Sequence, residues 1–194
     1  MIAAIVLSAG KSERMGSPKA LLEFRGQTFL ATILAAIASA RMSSVVVVAG
    51  HHYDRIVRAF PNARVAFNPN YEQGMSTSVQ VGIRALLEGP DRVDGAAIFL
   101  VDHPIIDRQT IDALTARLLP GRIVVPLCEG RRGHPVLFAA DLFAEILELA
   151  PDQGLNTVVK RNRDRVVEVI VENPGVLRDI DTPEQFARLL GEDQ

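Results

Sequence analysis

The sequence is poor in the features that would assign it to a specialised class of protein. It contains one cysteine in 194 residues, so no internal disulfide can form and the fold does not depend on an oxidising compartment. Its 21 lysines and arginines nearly balance 23 aspartates and glutamates. Proteins that bind nucleic-acid duplexes usually carry an excess or a stripe of basic residues. This sequence has no such excess, so its net charge gives no indication of nucleic-acid binding.

Long apolar runs are also missing. The first residues, MIAAIVLSAG, are apolar only from Ile2 to Leu7, whereas a membrane span needs about 20 apolar residues. No basic segment precedes this run, which is therefore not typical of a signal peptide. We expect a cytoplasmic protein that binds neither a membrane nor a nucleic acid.

The remaining composition is that of a globular protein. Hydrophobic residues make up 48% and charged residues 23%, which argues against a disordered chain. The length predicts one domain, residues 1–194, able to bury about 70% of its unfolded surface.

Short apolar runs alternate with segments of helical period. The predicted strands span 2–7, 45–49, 64–67, 96–101, 122–127, 135–138 and 166–171. The predicted helices span 27–40, 53–60, 76–87, 107–118, 140–149, 156–160 and 183–190. This alternation predicts an α/β fold, a three-layer Rossmann-like sandwich with a mostly parallel sheet. In such sheets ligands bind beyond the carboxyl ends of the strands.

The loop after the first predicted strand combines small residues with two cations. Its notable residues are Ser8, Ala9, Gly10, Ser12, Arg14 and Lys19. The small residues let the backbone approach a ligand closely, and N–H groups together with cations suit a triphosphate. The spacing fits neither a P-loop nor the dinucleotide fingerprint GxGxxG.

This loop, LSAGKSERMGSPK, resembles the L-A-A-G-x-S-x-R-M-G-x-x-K loop of nucleotidyltransferases with a MobA-like fold. These enzymes transfer a nucleoside monophosphate from an NTP. In their molybdenum-cofactor branch, guanylyltransferases tend to carry a double glycine, and the cytidylyltransferases of the MocA group carry L-A-A-G. The run 68–82, NPNYEQGMSTSVQVG, is similar to the MocA-group pattern N-x5-G-M-x-x-S-x3-G.

The resemblance implies a nucleotide-binding set of Ser8, Ala9, Gly10, Ser12, Gly74, Ser76 and Ser78. It implies that Arg14, Lys19 and Asp102 are catalytic. A Gly-Met-Ser turn that opens a helix also presents N–H groups and hydroxyls to an anion or a base. The alternative for Ser76 is that it caps that helix.

Two aspartates are candidates for binding Mg²⁺. Asp102 ends a buried strand, where a carboxylate suits a hard cation that also binds substrate phosphates. Its segment VDHP resembles the family's G-D-Q-P or G-D-M-P. The segment 179–184, DIDTPE, resembles the D-I-D-T-P-E-D close of this fold. Strand alternation would put Asp179 and Asp181 on one face, with Asp181 the better second ligand; alternatively, Asp181 or Thr182 caps the last helix.

Three residues lie in segments that the resemblance places on the acceptor side. They are His103, His134 in RGHP, and Asp152 in PDQG. Each also has a structural interpretation: His103 facing solvent, His134 as a structural histidine, and Asp152 starting a plain turn. His51 and His52 lack partners at zinc spacing, and Cys128 lacks the context of a nucleophile.

The resemblance implies Mg²⁺-dependent transfer of CMP from CTP to molybdopterin carrying molybdenum, with release of pyrophosphate. Guanylyl or sugar-phosphate transfer on the same fold is an alternative. A different class is a non-catalytic cofactor carrier that delivers to a molybdenum enzyme. An oxidoreductase is a third possibility, although the dinucleotide fingerprint is absent.

Overall fold

A twisted sheet flanked by helices forms the body of the molecule, which is described over residues 1–40 and 42–192 by a computed structural model. The strands are Ile2–Ser8 (β1), Glu23–Phe24 (β2), Gln27–Thr28 (β3), Val45–Ala49 (β4), Val65–Phe67 (β5), Gly95–Leu100 (β6), Ile123–Cys128 (β7), Arg131–Arg132 (β8), Val136–Ala139 (β9) and Val166–Ile170 (β10). The helices are Phe29–Ser39 (α1), Tyr53–Ala59 (α2), Met75–Leu87 (α3), Arg108–Thr115 (α4), Phe143–Leu147 (α5), Asn156–Arg161 (α6) and Pro183–Gly191 (α7).

The main sheet has the strand order β10-β7-β9-β6-β1-β4-β5, with β8 paired to β7. β1 is parallel to both β4 and β6, and β10 is parallel to β7. β9 runs antiparallel to β6 and β7, because the connection from β7 back to β9 is too short for a crossover helix. The prediction of a mostly parallel α/β sheet is confirmed.

Two apolar layers cover the two faces of this sheet. Ile5 packs in a cluster with Val79 and Ile83 of α3, whereas its neighbour Val6 packs in a second cluster with residues of α1, α2 and α4. Successive strand residues point to opposite faces. Because both faces of β1 are covered by an apolar layer, β1 is apolar at nearly every position. The three-layer arrangement predicted from the sequence is confirmed.

The topology opens a crevice beside the end of β1. The chain goes from β1 through α1 to β4 on one side, and β6 pairs with β1 on the other side. Loops that leave such a switch point in opposite directions leave a crevice between them. None of the described helices has the length and apolar character needed to cross a membrane.

Some predicted boundaries were wrong. The helix predicted for 27–40 begins at Phe29, because Gln27–Thr28 pair with Glu23–Phe24. The Thr28 hydroxyl then caps α1 by accepting a hydrogen bond from Ala31 N at 3.2 Å. The helix predicted for 140–149 is a 3-10 turn followed by the short α5.

Candidate functional site

A cavity of about 570 Å³ occupies the crevice. Ten of the residues singled out from the sequence line it: Ser8, Ala9, Gly10, Ser12, Arg14, Lys19, Gly74, Ser78, Asp102 and Asp181. Ser76, His103, His134 and Asp152 are not among the lining residues. The fold therefore gathers the first loop, the start of α3 and the end of β6 around one space.

The loop after β1 is held in a bent conformation by its own backbone. Ser12 adopts φ 53° and ψ 34°, the left-handed region that a non-glycine residue seldom enters. Its hydroxyl accepts a hydrogen bond from Lys19 N at 3.2 Å, and its carbonyl accepts one from Met15 N at 3.0 Å. The Ser12 hydroxyl thus acts within the loop and also lines the cavity.

Lys19 joins the two carboxylates of the site. Its ammonium donates to Asp102 Oδ2 at 3.2 Å and makes a short ion pair with Asp181 Oδ1. The Lys19 side chain is only 12% exposed. Arg14 donates to the other Asp181 oxygen at 2.9 Å. The Lys19 hydrogen bond and charge, helped by Arg14, hold the pKa of Asp181 below its usual value.

The second oxygen of Asp102 is buried, and no described group donates a hydrogen bond to it. An unpaired buried carboxylate oxygen is costly and calls for an explanation. The residues fit Mg²⁺, which binds one or two carboxylates together with substrate phosphates. Within residues 1–40 and 42–192, no group of three or more His, Cys, Asp or Glu is placed to hold a metal ion. With two carboxylates, the remaining oxygen ligands of Mg²⁺ would come from substrate phosphates and water.

Asp181 is positioned by the segment that leads into α7. Ile180 N donates to Asp102 O at 2.9 Å, which ties the two segments together. Gln185 Oε1 accepts from Asp181 N at 2.7 Å, and Thr182 caps α7 in a capping box. The cap predicted at Thr182 is confirmed. Residues 179–182 do not form a strand, and Asp179 is exposed and does not line the cavity.

The start of α3 is fixed by a buried asparagine. Asn68 is 1% exposed, and its amide donates to Thr77 Oγ1 and Ser78 Oγ, each at 2.9 Å. Gly74 precedes the helix with φ 129°, a conformation that favours glycine. A Cβ on Gly74 would also collide with the carbonyl oxygen of Pro151. These contacts set the wall of the cavity that Gly74 and Ser78 line.

Ser76 and Asp152 lie apart from the cavity. Ser76 is 1% exposed, and its hydroxyl donates to Pro151 O at 3.2 Å. It therefore ties α3 to the turn after α5 instead of presenting its hydroxyl to a ligand in the cavity. Asp152 is exposed on that same turn. The sequence pattern could not separate Ser76 from Ser78, because both lie in the first turn of one helix.

The rings of His103 and His134 lie next to each other and close to Asp102. Their ring centroids lie 5.2 Å apart, and His103 Nε2 is 3.9 Å from Asp102 Oδ1. Burial, together with the charge of the neighbouring His103, lowers the pKa of His134 to about 4 against the opposing effect of Asp102. These surroundings are those of a structural histidine. A role for His134 in binding the acceptor substrate stays a prediction.

An ion pair that the sequence reasoning missed spans the cavity wall. Lys11 Nζ lies 2.6 Å from Glu72 Oε1, and both residues line the cavity. Nearby, His52 Nε2 bonds to Lys11 O at 3.0 Å, and His51 Nδ1 bonds to the Tyr71 hydroxyl at 3.1 Å. The two histidines therefore support loops. No local pattern signals the ion pair, because its partners come from distant parts of the chain.

The fold and this cavity define a nucleotidyltransferase. The chain matches the model of the MobA-like NTP transferase domain over residues 4–166. It therefore belongs to the MobA-like family, as its first loop indicated.

Full-length relatives carry different names. The chain is 29% identical to purine catabolism protein PucB of Bacillus subtilis, covering 94% of this chain and 92% of that protein. It is 28% identical to nicotine blue oxidoreductase of Paenarthrobacter nicotinovorans, covering 97% and 96%. It is 27% identical to the molybdenum cofactor cytidylyltransferase of Escherichia coli, covering 94% and 92%.

Solved structures share the fold. Rv0371c of Mycobacterium tuberculosis superimposes with a TM-score of 0.83 at 30% identity, covering 98% of this chain and 97% of that one. A manganese complex of Rv0371c superimposes with a TM-score of 0.77 at 27% identity, covering 98% of both chains.

Proposed function

We propose that this protein, acting as one domain over residues 1–194, transfers CMP from CTP to molybdopterin carrying molybdenum. Pyrophosphate is the second product. The observation that carries the proposal is the cavity at the end of β1, where Arg14 and Lys19 meet the carboxylates of Asp102 and Asp181. The Ser8-Ala9-Gly10 segment and the E. coli cytidylyltransferase support CTP over GTP.

The loop after β1 binds the nucleotide in this proposal. A Cβ built on Gly10 meets no atom within 4 Å, so the backbone there faces open space that a ligand can occupy. Ser8, Ala9 and Gly10 bring N–H groups to the nucleotide, with Ser12, Gly74 and Ser78 completing the wall. Arg14 and Lys19 offset the negative charge of the triphosphate and of the departing pyrophosphate.

Asp102 and Asp181 would hold Mg²⁺ in the working enzyme. The metal supplies Lewis-acid polarisation of the phosphate that is attacked. Lys19 contacts the same two carboxylates, so a bound metal would compete with its ammonium, which would then be free to pair with the triphosphate. The Mn²⁺ complex of Rv0371c supports a divalent cation for this family.

The reaction itself needs position and charge more than a protein nucleophile. A phosphate oxygen of the acceptor attacks the α-phosphorus of CTP. The new P–O bond forms as the bond to pyrophosphate breaks, and the electron pair leaves with pyrophosphate. His103, His134 and Asp152 are proposed to face the acceptor. Cys128 is the buried last residue of β7 and takes no part.

Calorimetric titration with CTP and GTP, each with and without Mg²⁺, tests which nucleotide the protein prefers. Tighter, Mg²⁺-dependent binding of CTP is expected. A preference for GTP would move the protein to guanylyl transfer. Release of pyrophosphate in the presence of molybdopterin then tests turnover.

Binding of molybdopterin without turnover would favour the cofactor carrier, which hands its cargo to a molybdenum enzyme. Because one relative is named nicotine blue oxidoreductase, NADPH oxidation is a further assay. Oxidation of NADPH by the purified protein would support that class and contradict CMP transfer.

A further inference from the structure

Two separate groups of charged side chains line the cavity. The first is the cluster of Arg14, Lys19 and the two aspartates described above. The second is the ion pair between Lys11 and Glu72, with Glu13, which also lines the cavity, 3.7 Å from Lys11. The proposed function uses only the first group. The second has no role in it, although both of its members border the same space.

The strand order places these groups on opposite sides of β1. Asp102 follows β6, the neighbour of β1 on one side. Glu72 follows β5, which lies beyond β4 on the other side, and its neighbour Tyr71 packs against Gly50 at the end of β4. Adjacent strands are about 4.8 Å apart, so the two ends of the cavity are separated by a distance suited to a nucleotide. With the triphosphate at the β6 side, the base lies at the β4 side.

The Lys11–Glu72 pair is poorly placed to stabilise the fold. The two side chains are 40% and 61% exposed, and exposed ion pairs contribute little to stability. Each partner nonetheless keeps the other charged. Glu72 raises the pKa of Lys11, chiefly through their hydrogen bond, and Lys11 in turn lowers the pKa of Glu72. Near neutral pH the pair offers a permanent donor beside a permanent acceptor.

Neighbouring contacts hold the pair in a defined place. His52 Nε2 contacts Lys11 O at 3.0 Å, and Ala9 O accepts a hydrogen bond from His51 N at 3.2 Å. On the other side, Glu72 lies in the 3-10 turn Tyr71–Gln73. The Asn68 side-chain oxygen accepts a hydrogen bond from Asn70 N at 2.9 Å, and Asn70 O accepts one from Gln73 N at 3.0 Å. A donor and an acceptor held on two anchored loops are suited to reading the edge of a planar base.

We propose that Lys11 and Glu72 determine the nucleobase specificity of the cavity by distinguishing amino bases from keto bases. Glu72 accepts a hydrogen bond from the exocyclic amine, and Lys11 donates to the adjacent ring nitrogen. The inference rests on the proposed function, because it requires a nucleotide in this cavity.

The chemistry of the bases gives the pair its selectivity. Cytosine carries an exocyclic amine donor next to a ring nitrogen acceptor. Uracil carries an exocyclic carbonyl acceptor next to a ring N–H donor. The Lys11 donor and the Glu72 acceptor match the edge of cytosine. With uracil they are mismatched, because Lys11 would face a ring N–H donor and Glu72 would face a carbonyl acceptor.

A charge reversal separates this role from a structural one. The double variant Lys11→Glu/Glu72→Lys retains an ion pair between the two loops but inverts the order of donor and acceptor. The wild-type protein is expected to bind CTP more tightly than UTP in calorimetric titrations with Mg²⁺. In the reversed variant, the ratio of the two dissociation constants should shift about tenfold toward UTP.

Two further variants support the comparison. Arg132→Glu/Glu168→Arg reverses a similarly exposed pair with a 2.7 Å contact, located between β8 and β10. It should leave the CTP-to-UTP ratio unchanged. Glu72→Gln keeps the shape of the side chain while its amide can donate or accept, so this variant should bring the ratio toward one. Thermal melting establishes that each variant is folded.

The outcomes separate the two proposals. An unchanged ratio in the reversed variant, or a wild-type preference for UTP over CTP, overturns the role of the pair while leaving a nucleotide site in place. Failure of the wild-type protein to bind any nucleoside triphosphate overturns the proposed function and this inference with it.

Discussion

Lys19 balances the charge of two carboxylates at the centre of the cavity. Its ammonium contacts both Asp102 and Asp181, so a divalent cation held by these aspartates would compete with Lys19 for their negative charge. An aspartate pair beside a largely buried lysine is also a network in which removal of one member leaves uncompensated charge. Removal of Lys19 should therefore raise the affinity for a metal ion and lower the stability of the fold.

Replacement Lys19→Met is expected to raise the affinity for Mn²⁺ in the absence of nucleotide by about tenfold, because the competing cation is gone. Electron paramagnetic resonance of unbound Mn²⁺ measures this directly. The same variant should lose transfer activity and melt at a lower temperature. Arg108→Met, which removes an exposed partner of Asp112 on α4, is the control. Equal or weaker Mn²⁺ binding by the Lys19 variant would show that Lys19 does not compete with the metal.

His134 should make stability depend on pH. Its pKa is about 4 in the folded protein against an ordinary value of 6.5, because burial disfavours the imidazolium. Below pH 6.5 the unfolded chain binds a proton that the folded protein does not, so stability falls as the pH is lowered toward 4. The full loss amounts to about 3 kcal/mol.

Urea unfolding of wild type and His134→Gln across this pH range checks the prediction. The glutamine variant should show a shallower loss of unfolding free energy, since its side chain does not titrate. Parallel curves for the two proteins would mean that His134 titrates normally in the fold.

Among the elements, the junction before α3 is the most constrained by backbone geometry. Gly74 combines a positive φ with close approach to Pro151, whereas Gly10 has open space around the position of a Cβ and no positive φ. Both glycines line the cavity. The same substitution should therefore have opposite consequences at the two positions.

Gly74→Ala should lower the free energy of unfolding by about 1–3 kcal/mol, because an L residue is strained there. Gly10→Ala should leave stability nearly unchanged and weaken nucleotide binding, because the methyl group enters the space proposed for the ligand. Chemical denaturation and nucleotide titration of both variants measure the contrast. Loss of stability at Gly10 without loss of binding would contradict the proposed contact.

The β2–β3 hairpin and α7 act together as a support for Asp181. Phe24 and Phe29 pack with Ile180 and Leu189, and the capping box at Thr182 fixes the direction in which α7 begins. A side chain in the cavity is thus oriented by apolar contacts well outside it. The sequence indicated the cap but not the hairpin, whose strands are only two residues long.

For the whole molecule, the cavity links ligand binding to stability. Several segments far apart in sequence meet at the cavity, so a ligand that binds all of them opposes unfolding of the entire sheet. A ligand at about 100 times its dissociation constant adds about 2.7 kcal/mol of stability. For a protein of this size, that corresponds to a rise in Tm of about 5–10 °C.

Differential scanning fluorimetry should show a larger rise in Tm with CTP and Mg²⁺ together than the sum of the two separate rises. The reason is that the two aspartates and the triphosphate are expected to share the metal. A purely additive response would indicate that nucleotide and metal bind independently.

Much of the fold follows from the order of residues alone. The apolar runs at β1, β4 and β6 and the helical spacing along α3 report burial through neighbours that are close in the chain. The first loop is also recognisable locally, because small residues and cations have to stand within a few positions of one another to surround a phosphate. The family, the mostly parallel sheet and the cavity-lining loop were accessible in this way.

Other features depend on which distant segments meet. Ser76 and Ser78 are alike in sequence, yet only Ser78 lines the cavity, because Ser76 bonds to the turn after α5. Asp181 contacts Lys19, whereas Asp179, two residues earlier, is exposed. The segment that carries both is held by the Ile180 hydrogen bond to Asp102 O. Glu72 finds Lys11 across two loops. Local periodicity determined the strands and helices, because it reports contacts between residues close in the chain. Hydrogen bonds and ion pairs between distant segments decided which polar side chains face the cavity, because those contacts depend on how the segments meet in the folded sheet.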